Sequence, residues 1–164
     1  MKKDYQKTID VLTEKGYIDP GDKYAFCNYV PKSEYRGTVT VTTYSKVDYF
    51  VVANDEEIKI LDIDKKTGEF LGTGVKVNKE KANWVNAYKG IFGGRYFGVW
   101  AEYMDDYRED YSIPKKFHGF VQEDKRLELY DFIKDTYNTY YKERKLQRKE
   151  EKRRAKEEKK NKPF

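Results

Sequence analysis

The chain is poor in the residues on which most recognisable chemistry is built. Its 164 residues include one cysteine, Cys27, and one histidine, His118. A lone cysteine forms no intrachain disulfide, and no thiolate cluster can hold a metal. Inside "YAFCNYV" Cys27 reads as a small core residue. A single histidine excludes any site that needs two imidazoles. Nothing marks a nucleophile for His118 to serve, so it reads as a surface or strand-end residue. No stretch approaches the roughly 18 apolar residues that would span a bilayer. The opening "MKKDYQKTID" has no apolar run behind its lysines and does not read as a secretory signal. The expectation is a soluble, cytoplasmic protein without membrane insertion.

Charged residues make up 38% of the chain and the mean hydropathy is −1.03, values close to those of disordered chains. The 16 Tyr, 9 Phe and 2 Trp argue for a fold, because disordered chains are poor in aromatics. Each ring removes roughly 150–250 Å² from water when buried. The net charge of +5 is unevenly placed. Lys142 to Lys162 holds twelve Lys/Arg and five Glu, a local +7, which leaves 22 basic and 24 acidic residues elsewhere, or −2. Basic character belongs to the tail, so arguments about anionic partners start there.

Along the chain, Tyr5, Ile9 and Leu12 make one stripe of a short helix, with Asp4 as N-cap and Gly16 as stop. "IDPGDK" supplies a turn. From Tyr24 to Tyr103 the pattern is strand-like. "GTVTVTTYS" alternates Val39 and Val41 with threonines, as a half-buried strand would. "VDYFVVAN" is a continuous apolar run suited to a strand covered on both sides, and "EEIKILDID" follows a tight turn at Asn54 and Asp55. "DKKTGE" reverses the chain at Gly68. "FLGTGVKV", "ANWVNAYKG" and "GRYFGVWAEY" continue the series. Strands recurring about every ten residues without intervening helices favour an antiparallel barrel or sandwich. "MDDYREDYSIP" reads as an exposed acidic loop, and "KKFHGF" as one last strand. Leu127, Tyr130, Ile133, Tyr137 and Tyr141 then fall three or four apart, with Leu129, Phe132 and Tyr140 widening the stripe. That helix covers the sheet and continues into a charged extension. The expected divisions are 1–19, helix and turn; 20–141, β domain with capping helix; 142–164, basic helical extension.

Several stretches invite a functional reading. "KGIFGGRYFG", Lys89 to Gly98, packs four glycines beside a Lys and an Arg. A dinucleotide fingerprint needs G-x-G-x-x-G opening a helix, and a P-loop needs G-x-x-x-x-G-K-[ST]. Both fail here on spacing and context. The stretch reads as a hairpin in which Gly93 and Gly94 permit reversal and Gly98 lets a large ring approach. "LGTGVKVNKE" places Val77 where a third glycine belongs. "DIDKKTGE" has Asp62 and Asp64 at calcium-loop spacing. However, Lys66 occupies the third ligand position and Thr67 the required glycine, so it too is a hairpin. Asp105, Asp106, Glu109 and Asp110 form an acidic cluster that reads as solvated loop. No catalytic, metal or cofactor constellation emerges, and no cofactor is expected.

In the tail, Glu150–Arg154, Arg153–Glu157 and Arg154–Glu158 are i,i+4 pairs that support a helix standing in solvent. Lys145, Arg148, Lys149, Lys152, Arg153 and Arg154 are the candidate contacts to nucleic acid or another anion. Past Tyr141 there are no interleaved aromatics to stack bases and no apolar face to enter a membrane.

With the strands in place, the order resembles that of bacterial pleckstrin-homology-like (PH-like) domains. "DYFVVANDEEIKILDID" resembles that family's pair of strands around a tight turn, and "WVNAYKGIFGGRYFGVW" its later hairpin. "KKFHGFVQEDKRLELYDFI" is similar to its closing strand and helix. The resemblance spans roughly Tyr24 to Tyr141. It implies about seven antiparallel strands closed at one end by a helix, and a binding scaffold without catalysis that sometimes self-associates. The leading helix, the acidic loop and the charged extension depart from it, and the family has no fixed ligand residues to carry over. The expectation is a mainly β, non-enzymatic interaction module of PH-like type that binds another protein; small phage-encoded or accessory bacterial proteins often have sequences of this kind. The alternative is a nucleic-acid-associated protein acting through the basic C-terminal helix.

Overall fold

The computed structural model describes residues 3–101 and 108–161. A short helix, α1 (Tyr5–Glu14), leads into strands β1 (Lys23–Tyr29), β2 (Lys32–Arg36), β3 (Val39–Thr43) and β4 (Asp48–Ala53). Next come β5 (Glu57–Ile63), β6 (Phe70–Asn78), β7 (Trp84–Lys89), β8 (Arg95–Trp100) and β9 (Glu109–Ser112). The small strands β10 (Lys116–Phe117) and β11 (Phe120–Val121) precede the C-terminal helix. That helix runs as α2 (Glu123–Ile133), a π turn (Lys134–Asn138) and α3 (Thr139–Asn161).

Seven strands form one antiparallel sheet in the order β6-β5-β4-β1-β9-β8-β7. The sheet is sandwich-like and does not close into a barrel, since β6 and β7 both end as edges. β1 is the corner: Lys23 to Cys27 pair with β4, whereas Asn28 and Tyr29 pair with β9. A strand that changes partner part-way lets one sheet fold over its own core.

Side-chain alternation then builds two cores. On one face, Phe26, Phe50, Val52, Leu61 and Ile63 meet Tyr5, Ile9 and Leu12 of α1 and Phe117. The rings of Tyr5, Phe50 and Phe117 lie 4.9, 4.8 and 5.0 Å from that of Phe26, centre to centre. On the other face, Ala25, Cys27, Val51, Ala53, Ile58 and Ile60 face Phe97, Val99 and Tyr111 and the C-terminal helix. This double coverage explains the unbroken apolar run of "VDYFVVAN". α1 ends are as expected: the Asp4 carboxylate accepts from the Lys7 N–H, and Gly16 takes φ +83°.

Three expectations for the β region fail. β3 is not half-buried; it pairs only with β2 in a separate ribbon, leaving Val39 and Val41 exposed. "KKFHGF" is not a single strand but the β10–β11 hairpin, turned by His118 at φ +47° and Gly119 at φ +86°. Part of "MDDYREDYSIP" lies at the heart of the sheet rather than in a loop, because β9 sits between β1 and β8 with Tyr111 buried. Residues 102–107, including Asp105 and Asp106, lie outside the described residues.

The helix stripe is also shifted. Leu129 is fully buried and Leu127 only half so, while Arg126 is buried and donates through Nε to the Ile113 carbonyl at 2.8 Å. The π turn absorbs the mismatch between four-residue spacing and a 3.6-residue helix, keeping Ile133, Tyr137 and Tyr141 on the core side.

Side-chain amides, one buried and one half-buried, join the helix to the sheet. Where β1 lacks a β9 partner, the Gln122 side chain takes its place: Oε1 accepts from the Phe26 N–H and Nε2 donates to the Phe26 carbonyl, both at 2.9 Å. Asn138 does the same for Ala87 on the β7 edge, at 2.7 and 2.9 Å. The Tyr137 and Tyr141 hydroxyls donate to the carbonyls of Asn54 at 2.7 Å and Lys79 at 2.6 Å.

Replacing Gln122 with Ala orphans a buried N–H and C=O, so urea unfolding should show a loss of roughly 2–4 kcal/mol. Burial pushes the Tyr141 phenol up to about 12, and burial raises Tyr137 as well. Both favour the neutral form in the folded state, so their contribution is complete below about pH 10, the ordinary tyrosine value. It is lost as pH rises through about 12. Alkaline unfolding should therefore begin above about pH 10, and Tyr141→Phe should shrink that pH dependence, read by ultraviolet titration beside circular dichroism.

Candidate interaction surfaces

The glycine stretch is the β7–β8 hairpin. Its amides serve the turn: the Gly90 N–H donates to Gly94 O at 2.8 Å and the Gly93 N–H to Gly90 O at 3.1 Å. The outer carbonyl of Gly93 accepts from Arg95 Nη1 at 2.7 Å. Amides committed in this way, ahead of a strand rather than a helix, form no phosphate cradle. Gly93 takes φ +83°. At Gly98 a Cβ would stand 2.7 Å from Asp110 Oδ1 and 2.8 Å from the Trp84 ring, the close ring approach expected there. Ile91 and Phe92 form a fully exposed apolar tip.

The acidic positions that are described do not converge on a cation. Asp110 Oδ2 accepts from Tyr88 Oη at 2.8 Å and pairs with Arg108 at 3.0 Å. Burial, and then the bond to Asp110, pushes Tyr88 up to about 12. Glu109 accepts from the Tyr111 hydroxyl. Among the described residues no three His, Cys, Asp or Glu side chains gather as metal ligands. Asp64 is a turn residue, its Oδ1 accepting from the Lys66 and Thr67 N–H groups. Cys27 is buried, and burial raises its thiol well above the ordinary value.

His118 sits on the β10–β11 turn with Nε2 3.1 Å from the buried carboxylate of Asp48. It lines an open depression of about 610 Å³ with Lys3, Gln6 and Phe120. The Tyr5 ring is stacked 6.2 Å away, too distant for a hydrogen bond through its face. This pair ties the small hairpin to β4.

The basic candidates lie on α3, with every residue from Glu151 to Asn161 exposed. At 100° per residue, Lys145, Arg148, Lys149, Lys152, Lys156 and Lys159 share an arc of roughly 100°. Glu143, Glu150, Glu151, Glu157 and Glu158 occupy the other side of the helix. Arg153 and Arg154 are drawn towards that side. Arg153 binds Glu150 at 2.6 Å and Glu157 at 2.8 Å, and Arg154 stands 3.5 Å from Glu150. The bonds from Arg153 hold the Glu150 carboxyl below its usual range. The six candidates thus divide into four on the acid-free face and two engaged in ion pairs. The sequence alone missed Trp100, which the end of β8 brings to the root of α3. It is 40% exposed and shares a groove of about 830 Å³ with Arg144 and Arg148.

The two sheet edges differ. The β7 edge is covered at Ala87 by Asn138. β6 is exposed from Leu71 to Lys76 on both faces. The bond from the Lys79 N–H to the Glu56 carbonyl fixes the alternation, so Gly74 and Lys76 turn their peptide groups away from β5.

No family model, curated protein or solved structure matches the chain.

A side chain at Gly98 must displace the Trp84 ring. Gly98→Ala should therefore lower stability by roughly 1–3 kcal/mol in denaturant unfolding. Gly93→Ala, where no atom lies within 4 Å of the added Cβ, should cost less and act only through its positive φ.

Proposed function

We propose that the protein is a non-enzymatic interaction module of PH-like type that binds an extended segment of another protein by strand addition to β6. The observation that carries this reading is the asymmetry of the edges: β7 is covered by an amide from the helix, and β6 is left bare. An exposed edge offers a row of N–H and C=O groups to a further strand. Proteins commonly protect such edges with proline, charge or irregularity. Here the devices on β6 are Lys76 and a register shift between Phe70 and Gly74 that contains the left-handed Gly72 at φ +79°. The stretch from Gly74 to Asn78 is left regularly paired and open on its outer side. Leu71 and Val75 stand beside the edge, 45% and 39% exposed, where alternate side chains of an added strand would lie. Seven antiparallel strands with a helix packed over them support the PH-like reading, and the open sheet marks the difference from a closed form of it.

The test is Lys76→Pro. This removes an outward N–H that β5 does not use, so the sheet is retained while strand addition is blocked. A partner recovered from the native host by the wild-type chain should be lost with Lys76→Pro and kept when the lysines of α3 are changed to Gln. Equal recovery by Lys76→Pro would overturn the reading. A concentration-dependent dimer abolished by the same change would make the added strand a second copy of this chain.

A further inference from the structure

Two observations converge at the root of α3, independently of the β6 edge. The first is the sidedness of the helix. Six cations from Lys145 to Lys159 project from one arc, over an axial length of about 21 Å. Among the described residues none of the six is paired with a carboxylate. The glutamates that would neutralise them face the other way. A solvated helix stabilised by mixed pairs needs no such segregation.

The second observation is the groove where that stripe begins. Its wall is Trp100 from β8, and Arg144 and Arg148 of α3 stand across it, with Glu80, Lys81 and Asn83 from the β6–β7 turn, so that three cations face one carboxylate. The Trp84 ring opposite Trp100 in the register is covered by the Arg108 guanidinium at 5.1 Å. Trp100 carries no such cover among the described residues, and 40% of it meets solvent. Arg144 is steadied by donating to the Glu80 carbonyl at 3.2 Å, whereas Arg148 is exposed and leads into the stripe.

We propose that this groove and stripe bind single-stranded nucleic acid, with one base stacked on Trp100 and the phosphates running outwards along Lys145, Arg148, Lys149, Lys152 and Lys156. An aromatic face at one end of a cationic track is the arrangement that holds unpaired strands, because every base has a π-face and every nucleotide a phosphate. A duplex buries its base faces and has no use for the tryptophan. The aromatic platform that the tail lacks in sequence is supplied by the sheet.

The experiment titrates the full chain with oligo-dT and oligo-U, following tryptophan emission and electrophoretic retardation over a series of salt concentrations. Binding should quench emission, and five phosphate contacts should give a slope of log K on log salt of about −3.5. Trp100→Ala should weaken binding by about tenfold, with Trp100→Phe restoring the affinity while losing most of the quench. The triple change of Lys145, Lys149 and Lys152 to Gln should flatten the slope by about two units with the circular dichroism of the body unchanged. Equal affinity for duplex and single strand, an unaltered Kd in Trp100→Ala, or equal competition by inorganic polyphosphate would each overturn the proposal. Lys76→Pro should leave this binding intact, so its failure and that of the strand-addition reading are separately visible.

Discussion

The fold turns on a single bidentate contact, the Gln122 carboxamide against the main chain of Phe26. β1 has to serve two halves of one sheet, pairing with β4 early and β9 late. At the changeover a buried peptide is left without a strand beside it. Burying a peptide group without partners is expensive, so a sheet can bend this way only if something supplies both a donor and an acceptor. A glutamine side chain does so with the geometry of a missing strand. Because Gln122 immediately precedes α2, the same bond sets where the C-terminal helix begins and how it lies over the core.

The rest of the helix is fixed by the same kind of contact. Arg126 reaches the Ile113 carbonyl, Asn138 the Ala87 peptide, and Tyr137 and Tyr141 the turns at Asn54 and Lys79. Its apolar stripe is thin for a helix that covers a core, and these polar anchors compensate by holding defined positions. The π turn is the geometric consequence, since the anchors are spaced for the sheet and not for an ideal helix. Past Tyr141 one further bond, from Arg144 to the Glu80 carbonyl, holds the helix to the body, and beyond it α3 continues on local charge pairs.

This division has a functional corollary. The body carries the features of a rigid platform: two cores, one covered edge and one bare edge. The stalk carries the charge, sorted to one side. The junction between them places an aromatic ring from one next to the cations of the other. The two proposed binding modes therefore use different parts of the molecule and need not compete.

Local signals in the sequence were enough for whatever depends on neighbours along the chain. The cap at Asp4, the stop at Gly16, the reversals at Gly68 and Gly93, and the doubly covered run "VDYFVVAN" follow from periodicity and from residues that tolerate one dihedral. So does the segregation of basic charge beyond Tyr141. What covers each strand had to await the tertiary structure. "GTVTVTTYS" has strand alternation whether or not anything packs on it, and the acidic residues around Tyr111 hid a central strand because ladder pairing uses the backbone, not side-chain polarity. Gln122 and Asn138 look like surface polar residues until the edges they complete are in place, and Trp100 joins the basic tail only through space. Periodicity records which side of an element is apolar; only the packed chain decides what that side, and each unpaired peptide, will meet.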